Sequence, residues 1–245
     1  MTPAIANLGE QKIITFDVWN TLIKANPEYT RHRNQLIAWA YDLDLHEAAE
    51  LYTQTKFFLD QSAEIARLCM STTDCWLMLH ANIMRFQRKH GVPVKEVDVP
   101  ALMNQCARAF ADNLPIFTQD TKDLLTRLKA RGHYLGIISN TNFIPGSLLY
   151  GHLFKDLDVF RSTLFSDSYG VPKPNGRIFG ETKCNLEEAA AYDAGVDEDT
   201  PSDRLTAVHV GDNLVCDGRA TRFNYDFQHC LNPDDLVATF KSVGL

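Results

Sequence analysis

Five short apolar runs punctuate the chain, at Lys12–Phe16, Tyr134–Ser139, Thr163–Ser166, Leu205–Val210 and, more weakly, Asp226–Cys230. Each has the length of a buried parallel strand, and the runs are apolar with little alternation. Helical periods separate them. Gln119–Arg131 sets Leu124, Leu125 and Leu128 on one face and stops at Gly132, a favoured residue just past a helix end. Near the C-terminus Asn232 predicts an N-cap, with Pro233 at the first helical position and Leu236 and Phe240 on one side. Strands alternating with helices predict an α/β protein with a doubly wound parallel sheet and right-handed crossovers.

The pattern changes between about Ala25 and Asp112, where only helical periods occur. Leu36, Ala40 and Leu43 repeat at three and four, as do Trp76, Leu79, Ile83 and Phe86. The second series opens after Ser71-Thr72-Thr73-Asp74 and stops before Gly91 and Pro93. Another opens at Asp98 and Pro100, with Leu102, Cys106 and Ala109 inward. About four helices are too many for one crossover. The expectation is therefore an α/β core built from 1–24 and 113–245, with a helical domain inserted over 25–112. Its connections near Lys24–Pro27 and Asp112–Pro115 are expected hinges.

Composition narrows the function classes. With 245 residues, a net charge of −7 and no run of Lys or Arg, neither a nucleic-acid backbone nor an anionic membrane is an expected partner. The six cysteines, Cys69, Cys75, Cys106, Cys184, Cys216 and Cys230, lack CxxC or zinc-like spacing. Met1–Gln11 has no signal-peptide pattern and no apolar run spans a bilayer, so they read as reduced thiols in a cytoplasmic protein. Asp193–Asp203 reads as an acidic surface loop.

Four polar clusters sit at the ends of the predicted strands. Asp17 follows the first, with Trp19, Asn20 and Thr21 close behind. Alone, it reads equally as a helix cap or a nucleophile. Ser139 and Asn140 end the second strand, where converging donors suit an anion or a simple turn. After the third, Lys173 stands between Pro172 and Pro174, which restrict the backbone on both sides and make it a positioned cation. After the fourth come Gly211, read as permitting a tight turn, Asp212 and Asp217. Together with Asp17 these are three carboxylates at strand ends, a hard oxygen set that points to Mg²⁺. His209, alternating with apolar residues, reads as a packed or hydrogen-bonded histidine.

The order and separation of these clusters, with a helical insert after the first, resemble the haloacid dehalogenase-like (HAD) superfamily with its Rossmann-like core and α-helical cap. Asp17 and Thr21 match its first motif, Ser139 its second, Lys173 its third, and Asp212 and Asp217 its fourth. The resemblance implies a hydrolase in which Asp17 attacks phosphorus and forms an aspartyl-phosphate. Mg²⁺ is then held by Asp17, Asp212 and the main-chain carbonyl of Trp19, with Asp217 supporting that shell. Thr21, Ser139, Asn140 and Lys173 contact the phosphoryl group of a small phosphorylated substrate.

Position 19 departs from the pattern. The family's phosphatases place a second Asp there as general acid, and here it is Trp19, followed by Asn20 where glycine is usual. Three readings follow: a Mg²⁺-dependent phosphohydrolase with a good leaving group, or with an acid from the cap or water; a metal-independent 2-haloacid dehalogenase, whose relatives also carry an aromatic residue at this position; and a catalytically silent binding protein. The retained Gly211-Asp212 pair favours the first. In the insert, Arg31, His32 and Arg33 have two readings, contact with an anionic substrate or a solvated helix end, and the second is preferred. Trp39, Tyr41, Phe57, Phe58 and Trp76 read mostly as core.

Overall fold

The computed structural model describes residues 12–195 and 205–242. Most of the acidic stretch 193–203 and the N-terminal segment lie outside the described residues. Five parallel strands, β1 (Lys12–Phe16), β2 (Tyr134–Ser139), β3 (Phe160–Phe165), β4 (Thr206–Gly211) and β5 (Asp226–His229), form one sheet in the order β3-β2-β1-β4-β5. The chain runs outward from β1 to β2 and β3, then returns to the other side for β4 and β5. The switch point, where open α/β sheets bind ligands, therefore lies at the carboxyl ends of β1 and β4.

Side-chain alternation divides the sheet between two cores. Ile14, Phe16, Leu135, Ile137, Val208 and Val210 pack with Leu124, Leu125 and Leu128 of α5 (Gln119–Ala130) and with Leu236 and Phe240 of α9 (Pro233–Ser242). Ile13, Ile138 and Ala207 face Ile178, Phe179 and Leu186 of α8 (Gly176–Ala194). As expected, Asn232 caps α9 and accepts from the amides of Asp234 and Asp235. Strand β3 starts three residues before its predicted position. It is the sheet edge, so Phe160 and Ser162 pair with β2 across a register irregularity at Arg161 without forming an apolar run, and Ser166 opens the short helix α7 (Ser166–Tyr169) instead.

Four helices lie between β1 and β2: α1 (Pro27–Tyr41), α2 (Leu45–Gln61), α3 (Thr72–Lys89) and α4 (Val99–Asp112). Their starts follow the sequence signals. Ser71 and Asp74 form a reciprocal capping box, and Asp98 accepts from the amide of Ala101. The helices share a core of Ile37, Tyr41, Leu51, Tyr52, Leu59, Trp76, Leu79, Ile83, Leu102 and Cys106. Phe143, from the loop after β2, plugs into it, with its ring 4.5 Å from Tyr52 and 5.2 Å from Trp76, while its carbonyl accepts from Trp76 Nε1 at 3.2 Å. The two connections to the sheet are tied to each other. The Lys24 and Ile116 backbones exchange hydrogen bonds of 3.0 and 2.8 Å. A π-turn, Ser62–Ala66, extends α2 toward the sheet. No helix among the described residues is long and apolar enough to cross a membrane.

Trp76→Ala removes both the ring that grips Phe143 and the donor to its carbonyl. We expect a loss of about 3–5 kcal/mol, read by urea denaturation. A loss below about 1 kcal/mol would show that this plug does not hold the insert to the sheet.

Candidate active site

Asp17 leaves β1 with its amide still bonded to the Val210 carbonyl at 2.8 Å, so its side chain stands at the switch point. Both protein donors to its carboxylate reach the same oxygen: Ser139 Oγ at 2.9 Å and Lys173 Nζ at 2.6 Å on Oδ1. Among the described residues no hydrogen bond is made to Oδ2. Lys173 is only 2% exposed and bonds Asp217 Oδ1 at 2.6 Å as well. Asp217 Oδ1 also meets His209 Nε2 at 3.1 Å, and its Oδ2 accepts from the Asn213 amide at 3.0 Å. His209 Nδ1 lies 2.9 Å from Thr15 Oγ1. The histidine is thus hydrogen-bonded inside the sheet, as expected, and props Asp217.

Burial sets the ionisation. It pushes Asp17 up to about 6, against the pull of Lys173, with Asp217 and Asp212 adding to the rise. Burial also opposes charge on Asp217, but Lys173 and His209 outweigh it and hold this acid well below the carboxylate range. Lys173 pays the same burial penalty and is held above the ordinary lysine range by its two acids. Burial lowers His209, leaving a neutral ring that donates from Nε2 and accepts from Thr15. Asp212 is raised by burial and Asn20 Nδ2 opposes this, donating to Oδ2 at 3.0 Å.

Carboxylate oxygens of Asp17, Asp212 and Asp217 lie within 4.8 Å of one another. One lysine stands against three acids, a surplus of negative charge that fits a small divalent cation. The donor set is hard oxygen, without Cys. Asp217 is placed differently from the other two, because both its oxygens are engaged by Lys173, His209 and Asn213; it braces the cluster from behind.

Several expected roles shift. Asn140, at the cavity wall, turns its amide onto Lys173. Its Oδ1 accepts from the Lys173 amide at 2.7 Å and its Nδ2 donates to the Lys173 carbonyl at 3.0 Å, clamping the lysine's backbone. Thr21 is fully buried and its hydroxyl has no partner among the described residues, and Ser139 is equally buried beneath Asp17. Gly211 does not adopt a positive φ. Its role is room: a Cβ there would lie 2.3 Å from Asp217 Cγ and Oδ2. Asn20 does adopt the left-handed conformation, at φ 58°, which asparagine tolerates where glycine is otherwise used.

A cavity of about 430 Å³ opens over Asp17. Its floor includes Trp19, Asn20, Lys173, Asp212 and Asn213, and the helical insert contributes Tyr29, Arg33, Tyr52, Asp60 and Glu64. Two insert carboxylates touch the sheet side: Asp60 accepts from Asn142 Nδ2 at 2.7 Å and Glu64 from Asn213 Nδ2 at 2.9 Å. Of the basic triplet, Arg31 pairs with Glu28 in solvent and His32 is exposed, as expected, but Arg33 is buried against the cavity. The aromatic residues also sort unexpectedly. Tyr41 and Trp76 are core, Trp39, Phe57 and Phe58 are exposed, and Tyr29 and Tyr52 line the cavity.

Asp17→Asn is expected to stabilise the metal-free protein by about 1–3 kcal/mol at pH 7.5. An acid raised from 3.8 to about 6 costs nothing below pH 3.8, where it is protonated folded or unfolded; its penalty grows from there and is complete above about 6. The gain should therefore shrink at pH 4.5. Lys173→Met, which strands two buried acids, should cost about 3–5 kcal/mol at pH 7.5. Denaturation curves of both variants in chelator check this, and equal effects of the two would refute the charge balance described.

The family model for haloacid dehalogenase-like hydrolases matches residues 11–221. No curated protein matches the chain. Among solved structures, the HAD-hydrolase YfnB from Bacillus subtilis bound to magnesium aligns with a TM-score of 0.60 at 17% identity, over 89% of this chain and 88% of that one. A predicted phosphoglycolate phosphatase from Haemophilus somnus 129PT (TM-score 0.51, 16% identity, 89% and 84% covered) and a 2-haloacid dehalogenase from Pseudomonas syringae pv. tomato DC3000 (0.51, 20%, 89% and 85%) are similar in fold. With the sheet order, the strand-end acids and the buried lysine already in place, the match across most of its length means that this chain belongs to the haloacid dehalogenase-like hydrolases.

Proposed function

We propose that the chain is a Mg²⁺-dependent phosphohydrolase acting on a small phosphorylated metabolite, with residues 25–112 as a cap over a core of 1–24 and 113–245. The observation that carries this reading is the surplus of carboxylates around Lys173, two buried and Asp212 half-buried, with Asp17 Oδ2 left without a donor among the described residues. Asp17 is the nucleophile: it attacks phosphorus, the ester oxygen departs, and water then cleaves the aspartyl-phosphate. Lys173 and Ser139 fix its carboxylate through Oδ1 while the reaction proceeds. Asp17, Asp212 and the Trp19 carbonyl would hold Mg²⁺, which when bound draws charge from the phosphoryl oxygens.

The leaving oxygen needs a proton, and Trp19 cannot supply it. Glu64, carried toward the sheet by the π-turn and lining the same cavity, is the cap carboxylate placed to replace the missing acid. Asp60 is engaged by Lys56 and Asn142. The second reading, a metal-independent 2-haloacid dehalogenase, is supported by the aromatic Trp19. It leaves Asp212 without work, since halide departs with no metal ion beside the nucleophile.

Hydrolysis of p-nitrophenyl phosphate should require Mg²⁺, stop in EDTA and vanish in Asp17→Asn. Halide release from 2-chloropropionate in EDTA would replace this reading with the dehalogenase. Glu64→Gln should lower turnover of alkyl phosphates by about 10²-fold and of aryl phosphates much less. Trp19→Asp should raise alkyl turnover preferentially. Equal effects on alkyl and aryl esters would remove Glu64 from proton transfer.

A further inference from the structure

We infer that the cap carries a receptor for a second anionic group of the substrate, built from Arg33 and Tyr29 of α1. The inference rests on the phosphohydrolase reading for what lies at Asp17, but on separate residues for its own support.

Arg33 is 9% exposed, and among the described residues no carboxylate lies within ion-pair distance of it. Its guanidinium stands 3.5 Å from the centre of the Tyr52 ring and 5.7 Å from that of Tyr29. Its Nε and Nη2 both reach one neutral acceptor, Asn34 Oδ1, at 3.1 and 2.8 Å. Among the described residues this buried cation meets aromatic rings, the Tyr52 side chain and an amide but no anion, so it is incompletely compensated. One turn earlier, on the same helix face, the Tyr29 hydroxyl is buried with no hydrogen-bond partner among the described residues. Both residues line the cavity above Asp17.

An anionic oxygen group satisfies both at once, accepting from the guanidinium and from the phenol. Tyr52 and Tyr29 hold the guanidinium without competing for an anion. With the phosphoryl group at the sheet and the second anion at α1, a cavity of about 430 Å³ selects a short phosphomonoester whose alcohol portion ends in a carboxylate or another phosphate.

The test compares 3-phosphoglycerate, 1,3-propanediol bisphosphate and glycerol 3-phosphate, which end in a carboxylate, a phosphate and a neutral hydroxyl. The wild type should prefer one of the anionic pair over the neutral ester by at least about 10-fold in kcat/KM, and which one identifies the group. Arg33→Gln and Tyr29→Phe should each raise KM for the preferred ester, Arg33→Gln by about 10- to 100-fold, and move the neutral ester far less. Arg33→Lys, which keeps the charge, should retain part of the preference, whereas a merely structural arginine would change all three esters alike. Malonate binding, followed by tryptophan fluorescence, separates the two readings. If no phosphoester turns over but malonate binds to wild type and not to Arg33→Gln, the phosphohydrolase reading fails and the receptor stands. Turnover without preference between anionic and neutral esters overturns the receptor alone. Absence of both turnover and malonate binding also overturns it.

Discussion

Lys173 held between Asp17 and Asp217 is the contact around which the site is arranged. It joins the end of β1, the loop before α8 and the loop after β4, at 2.6 Å on both sides and almost out of reach of solvent. Such a cluster is a poor way to stabilise a fold, since hydrophobic replacements are often as good or better. Its neighbours nonetheless fix it from every direction. Asn140 grips the lysine's backbone through both ends of its amide, Gly211 leaves the space that the Asp217 carboxylate fills, and Thr15 and His209 reach Asp217 through the sheet. The parts serve one result: an aspartate set rigidly with one oxygen occupied and the other bare.

The sheet was legible because its central strands are buried on both faces and therefore written as unbroken apolar runs ending in polar residues. Lys12–Phe16 and Tyr134–Ser139 coincide with their predicted limits for that reason. At the edge the rule weakens. β3 begins in a half-exposed stretch containing Arg161, whose side chain pairs with Asp193 rather than with the core. Asp17, Ser139, Lys173, Asp212 and Asp217 do converge, but which atoms meet depends on packing that residue order does not encode. Asn140 belongs to the lysine, Asp217 is saturated, and Gly211 is required by a neighbour's carboxylate and not by its own dihedral angles.

Arg33 shows how a local pattern misleads. Three successive basic or titratable residues, Arg31-His32-Arg33, look like a solvated helix end. On a helix they point 100° apart, and the third falls in the stripe Tyr29, Arg33, Ile37, Tyr41, all buried. That i, i+4 series was the available signal: an apolar face interrupted by one cation, set directly after the motif that carries the nucleophile.

Position 19 carries tryptophan, and the loop around it is held by backbone hydrogen bonds from Leu22 to Val18 and from Asn20 to Ile23. Asn20 then does more than fill a turn. Its left-handed backbone keeps the loop's path, and its amide reaches across to Asp212, binding the first motif to the fourth. A glycine would give the path without the tether. The acids at the strand ends are thus organised by amides, the Asn20 side chain on Asp212 and the Asn213 backbone on Asp217, and the Glu64 carboxylate of the helical insert meets the Asn213 side chain from the other side.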